Sequence, residues 1–234
     1  MGYRRTPFAP NEWYHCFTRG VDKRTVFEDE ADFNRFTELL YLANSTETID
    51  RGRVQHLAHA DIFSVPRGDA FVSIGAYCLM GNHPHLLIRE NKEGGISKFM
   101  HKVFTGYTMY FNIKRKRVGN LFVTPFRSKH INDDTYLKRV TQYIHLNPAE
   151  VFESGWKGGG AKNLRSLEKK LLEYPYSSMQ DYFGTKKLKG RPERFLLDQE
   201  VAGLVNGRSI LSEVLSEADM YYKELSGEFG KYQS

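Results

Sequence analysis

Residues 70–90, "AFVSIGAYCLMGNHPHLLIRE", read as two strands folded back on each other. Residues 70–80 form an apolar, β-prone run, Gly81 and Asn82 are turn formers, and "HPHLLIRE" returns as the partner strand. In a strand, residues i and i+2 point to the same face. His83 and His85 therefore stand side by side, while Leu86 and Ile88 face the other way. Two imidazoles on one face of an apolar frame look like half of a metal site, although an isolated H-x-H is more often two satisfied or partly exposed histidines. The usual completions are missing, because the chain has no HExxH helix, no third histidine at close spacing and no cysteine set.

Working outward from the hairpin, "EWYHCFTRG" (12–20) alternates aromatic and polar residues as a strand ended by Gly20. The segment after it carries a helix capped by Asp29, with Phe33, Phe36, Leu39 and Leu40 as its apolar stripe. Beyond the hairpin, a long helix lies between glycines, and Phe99, Val103, Tyr107 and Tyr110 recur along it at spacings of three and four. "NLFVTPFRSKHI" (120–131) is extended, and "NDDTYLKRVTQYIHLN" (132–147) is a helix opened by Asn132 or Asp133 and closed by Pro148. The order strand, helix, strand, strand, helix, strand, helix predicts an α+β fold. Its core is a ferredoxin-like β-α-β-β-α-β unit with an antiparallel sheet and helices on one side. A basic tail is expected at 1–10, the main domain at 11–185 and a partly helical C-terminal extension at 186–234.

The chain has 234 residues, 40% of them hydrophobic and 14% aromatic, enough for one sizeable core. No stretch approaches the roughly 18 consecutive apolar residues of a membrane span, and the start has no apolar signal core. Cys16 and Cys78 are too few for a disulfide framework, so a reducing, cytoplasmic setting is expected. The net charge of +6 suits a polyanionic partner. Its distribution says more, because Gly94 to Asn132 contains no Asp or Glu. The same stretch holds Lys114, Arg115, Lys116, Arg117, Arg127 and Lys129 interleaved with Phe and Tyr. Cations for phosphates and rings for unstacked bases are the ingredients of a single-stranded nucleic-acid groove.

"TQYIHLNP" (141–148) carries the remaining chemistry. Tyr143 and Asn147 are four apart and share a helical face. A tyrosine can be a nucleophile, and an asparagine can give a divalent cation its carbonyl oxygen. His145 falls on a different face, and Tyr107 and Tyr110 read as core aromatics.

"YCLMGNHPHLLI" followed by "YIHLNP" resembles the IS200-like single-tyrosine HUH transposases, most of all the branch associated with repeated extragenic palindromes. "WYHCFTRGVDKRTVFEDEADFNRF", "YFNIKRKRVGNLFVTPFRSKHI" and "YPYSS" extend that resemblance over roughly residues 11 to 183. It implies that His83 and His85 bind a divalent metal, Mg²⁺ or Mn²⁺, with Asn147 as a third ligand. Tyr143 is then the attacking residue on single-stranded or hairpin DNA, forming a 5′-phosphotyrosine. Lys114, Arg115, Lys116, Arg117, Arg127 and Lys129 are the expected DNA contacts. The resemblance leaves monomer and homodimer both open and implies a nucleoid-associated protein. Two positions depart from the family pattern: Pro84 replaces a bulky apolar residue between the histidines, and Gly81 stands where relatives carry proline. A domesticated relative that binds structured nucleic acid without cutting it is the alternative. A small metal hydrolase acting on phosphoesters is a more distant one.

Overall fold

The computed structural model describes residues 7–49, 51–153, 156, 163–184, 190–198 and 201. Most of the expected N-terminal tail, most of the glycine-rich loop at 155–163 and most of the extension at 186–234 lie outside them. The described strands are β1 (Trp13–Phe17), β2 (Val72–Met80), β3 (His83–Glu90) and β4 (Arg127–Ile131). They form one antiparallel sheet in the order β2-β3-β1-β4. Between β1 and β2 come α1 (Glu30–Leu42), α2 (Arg51–Val54) and α3 (His59–Ile62). α4 (Gly95–Lys114) joins β3 to β4, and α5 (Asp134–Leu146), α6 (Ala149–Phe152), α7 (Leu164–Glu173) and α8 (Met179–Phe183) follow. The element order is the expected β-α-β-β-α-β core with a further helix after β4.

Local chemistry sets the helix starts. The Asp29 side chain accepts the Asp32 N–H to open α1, and Asp133 accepts the Tyr136 N–H to open α5. α4 is opened from the sheet instead. The buried Glu90 carboxylate at the end of β3 accepts Gly94 N–H at 2.7 Å and Ile96 N–H at 2.9 Å, placing negative charge at the helix N-terminus.

The strand period sorts the side chains into two cores. Tyr14, Cys16, Leu86 and Ile88 pack with α1 and α4 through Phe36, Leu40, Phe99, Val103 and Tyr107. Phe17, Cys78, Met80 and Leu87 face the other way, against Leu137, Val140, Tyr143 and Ile144 of α5 and Leu167 and Leu171 of α7. The expectation of helices on one side of the sheet holds for α1 and α4, and α5 adds a third layer on the opposite face. Its apolar stripe needs cover, and the α1/α4 face is already occupied.

The outer edge of β2 is covered by later chain, through Leu79 N–H to Tyr176 O, Ser178 N–H to Tyr77 O and Asp198 N–H to Ile74 O at 2.8–3.0 Å. Pro84 pairs with Leu79 of β2 and lies beyond Phe17↔His85, where the β1–β3 pairing ends. That is the strand-start position at which a missing N–H does least harm. Among the described residues no helix is long and apolar enough to cross a membrane.

Candidate active site at the sheet and helix α5

Alternation puts His15 and Phe17 of β1 and His85 of β3 on the face that α5 covers. β1 and β3 are paired so that Phe17 lies opposite His85 and His15 opposite Leu87. His15 Nε2 and His85 Nδ1 are 2.9 Å apart, one donating to the other. Both rings are almost fully buried. Burial, helped by neighbouring His83, pulls the His15 pKa down to about 3, so His15 is neutral at physiological pH.

His83, at the strand's start, is half-buried, and its ring centroid is 4.8 Å from that of His85 at an interplanar angle of 81°. Its Nδ1–H donates to Asn82 Oδ1 at 2.5 Å, which leaves Nε2 as the ring nitrogen with a lone pair. α5 brings Tyr143 edge-on to this group, with centroids 5.7 Å from His85 and 5.8 Å from His15. Tyr143 is 3% exposed, and burial drives its hydroxyl pKa well above the usual phenol range. Asn147 ends α5, where its Nδ2 donates to the Tyr143 backbone carbonyl at 2.8 Å. With that nitrogen committed, Oδ1 is the atom of the amide left to meet a cation.

Among the described residues no three of His, Cys, Asp and Glu gather as a metal-holding group. A divalent ion here would need a donor outside those four types. Two imidazole nitrogens and an amide oxygen form a chemically suitable set that leaves positions open for solvent and phosphate oxygens. By donor chemistry, His83, His85 and Asn147 fit the ion that the sequence resemblance implies.

The cations separate into groups. Lys114 Nζ lies 2.7 Å from Asp29 and 2.6 Å from the fully buried Asp32, and Arg115 pairs with Glu28 at 2.9 Å and Asp32 at 3.2 Å. Half of the basic run is thus tied to the start of α1. Arg117 donates to Asn112 Oδ1 and Asn120 O, whereas Lys116 is exposed. Lys129 sits near the Tyr136 ring, in a shallow pocket it shares with Arg139. Arg127 is the member of the set that lines a pocket together with His83.

Sequence reasoning allowed that His15 could line the site without fixing it there, read Asn82 as a turn former only, and gave no role to the pocket cations Arg19 and Lys23. The alternation of Trp13, His15 and Phe17 was a signal for the first of these. It became specific only once β1 was paired with β3. His145 turns away, its Nε2 2.8 Å from Ser178 Oγ, and the Tyr107 hydroxyl donates to Val26 O in the other core.

Residues 58–147, which span both histidines, Tyr143 and Asn147, match the family described as "Transposase IS200 like". Over that stretch the chain is similar to the IS200-like transposases. A solved structure of a REP-associated tyrosine transposase bound to a REP hairpin aligns with a TM-score of 0.50. It covers 80% of this chain and 87% of that one at 13% identity, so the likeness is one of fold. No curated protein matches the chain. The matched stretch includes His85 and Tyr143, which meet across the sheet–α5 interface.

Proposed function

We propose that the protein is a metal-dependent DNA transposase that cuts and rejoins single-stranded, hairpin-bearing DNA through Tyr143. The observation that carries this reading is the meeting of Tyr143 with His85 across the sheet–helix interface, 5.7 Å between ring centroids. The IS200-like stretch and a fold shared with a hairpin-bound transposase support it.

His83, His85 and Asn147 would hold a divalent cation. When bound, it would supply Lewis-acid polarisation of the scissile phosphate and favour the phenolate. Tyr143 Oη then attacks phosphorus. The P–O3′ bond breaks, the phenol loses its proton, and the departing 3′ oxygen gains one. The products are a 5′-phosphotyrosine and a free 3′-hydroxyl. Because the covalent link keeps the phosphoester energy, attack by a 3′-hydroxyl on it rejoins strands without a nucleotide cofactor. Asn82 and His15 act on the histidines, each engaging one Nδ1 and thereby fixing ring orientation.

The test is a denaturing gel of labelled single-stranded hairpins from the DNA flanking the gene, incubated with Mg²⁺ or Mn²⁺. A protease-sensitive protein–DNA band that needs the metal and is lost in Tyr143→Phe is expected. Tight hairpin binding with no adduct in either metal refutes the cleavage chemistry. The burial of Tyr143 specifically favours a second reading, a non-cleaving DNA-binding relative, and that outcome would establish it.

A further inference from the structure

A pocket of about 260 Å³ opens beside His83, lined by Phe17, Thr18, Arg19, Lys23, Asn82, Val123, Pro125 and Arg127. Three cations from two separate chain segments converge on it, and none of its lining residues is acidic. Phe17, Val123 and Pro125 supply an apolar wall.

The pocket is built from tethered parts. Thr18 Oγ1 donates to Val123 O at 2.7 Å, and Val123 N–H donates to Arg19 O at 2.8 Å, joining its two walls. The turn bearing Lys23 is pinned to the hairpin tip by Gly20 N–H to Asn82 O and by Asn82 Nδ2 to Lys23 O. Asp22 and Lys23 both have left-handed backbone, with φ of 57° and 58°, and such strain gathers where a ligand is held. A side chain at Gly20 would put Cβ 2.3 Å from Arg24 O, so the turn depends on glycine there. The Asn82 that holds the Lys23 turn also accepts from His83, which couples the pocket mechanically to the candidate metal ligands.

We propose that this pocket seats one unstacked nucleotide of the single-stranded substrate next to the cleaved phosphodiester, with Arg19, Lys23 and Arg127 on its phosphates and the Phe17–Val123–Pro125 wall against the base. The volume falls just below the roughly 300–1,000 Å³ of small-molecule pockets, the scale of a single nucleotide and too small for a duplex. An apolar face beside converging cations is the pattern of single-strand sites. A bare phosphate would need the cations and not the wall. The inference rests on the DNA-cleaving reading and adds to it the residues that position the strand. It also moves the electrostatic footprint away from Lys114 and Arg115, which carboxylates at the start of α1 hold.

The experiment measures the affinity of full-length protein for a fluorescein-labelled oligothymidylate across a salt series without added metal, so that binding is read apart from cleavage. Each phosphate neutralised on a single strand contributes about 0.7 to the slope of log K against log salt. Arg19→Gln/Lys23→Gln/Arg127→Gln is expected to lower the slope by about 2, and a change at the exposed Lys169 of α7, Lys169→Gln, to leave it unchanged. If the triple variant fails to fold, the single variants of the exposed Lys23 and Arg127 are each expected to lower the slope by about 0.7. A wild-type slope in the pocket variants, or loss of slope in Lys169→Gln instead, overturns the subsite and leaves the cleavage reading standing. Failure of the wild-type protein to bind single strands at all overturns both.

Discussion

Arg191 is expected to be the most sensitive single position in the C-terminal part of the described chain. Its guanidinium lies 3.1 Å from Asp181 Oδ2 in an ion pair, and its Nε donates to Asp181 Oδ1 at 3.2 Å. It also donates to Pro175 O at 2.6 Å, Ser177 O at 3.1 Å and the Tyr77 hydroxyl, binding the segment that covers the β2 edge to the sheet. The Asp181 side chain is 1% exposed and that of Arg191 13%. Burial pushes the Asp181 carboxyl up to about 6 even though Arg191 pulls it down, so the pair is one whose desolvation is only partly offset.

Arg191→Met leaves the carboxyl buried without its cation. Removing one partner of a buried pair costs about 3–5 kcal/mol, which for a chain of this size lowers Tm by roughly 6–20 °C. The sign with pH follows. Without Arg191 the folded-state pKa of Asp181 rises further above its unfolded value. The added loss is therefore absent below the unfolded pKa, near 4, and grows as pH rises through about 6 and beyond. Urea unfolding followed by circular dichroism should give a larger deficit at about pH 8 than at about pH 5. Arg191→Met/Asp181→Leu should recover part of it. A deficit under about 1 kcal/mol at both pH values, or one larger at the lower pH, would refute the reasoning.

Two further predictions concern histidines. Burial works against the charge on His59, yet hydrogen bonds to Glu193 at 3.2 Å and Glu38 at 3.0 Å raise its pKa to about 9. A raised folded pKa gives stability that is complete below about 6.5 and lost as pH climbs through 9. A side chain about a quarter exposed makes that roughly 1–3 kcal/mol. The stability gap between wild type and His59→Gln should therefore close between about pH 6.5 and 9.5, and a gap constant with pH counts against the bridge. His15→Phe should keep the aromatic slot filled while removing the 2.9 Å partner of His85. DNA binding is expected to persist and adduct formation to fall at least tenfold, and unaltered adduct yield would leave His15 with packing alone.

The parts of the molecule legible in sequence are those set by near neighbours. Asp29 and Asp133 cap helices three residues on, and the strand period assigns Leu86 and Ile88 to one core and His85 to the other face. What stayed hidden depends on pairings between distant segments. Lys114 and Arg115 belong to an acid-free stretch, yet Glu28, Asp29 and Asp32 reach them from the start of α1. An absence of carboxylates along the chain says nothing of carboxylates across space. The His15–His85 contact needed the β1–β3 register, and the placing of α5 on the second face needed to know which face α4 had taken. Asn147 was legible as a neighbour of Tyr143 by helical spacing, though the bond to the Tyr143 carbonyl was not.

Exposure gives the candidate centre a direction. Tyr143 and His85 are 3% and 1% exposed, whereas His83 stands half-buried at the hairpin tip beside the cationic pocket. Under the proposed chemistry, a strand therefore reaches the histidines from the His83 side first, and α5 has to yield before Tyr143 meets phosphorus. α5 is held by its own apolar stripe, by Leu167 and Leu171 of α7, and by the His145–Ser178 hydrogen bond, so that movement is uphill while no DNA is present. The same burial that blocks Tyr143 also keeps it a phenol, because desolvation penalises the phenolate. Under the proposed chemistry, a tyrosine kept covered and protonated cannot attack water-borne phosphoesters at random. Under this reading, reactivity would arise only when the strand supplies the binding energy to shift the helix and the cation supplies the charge to favour the phenolate.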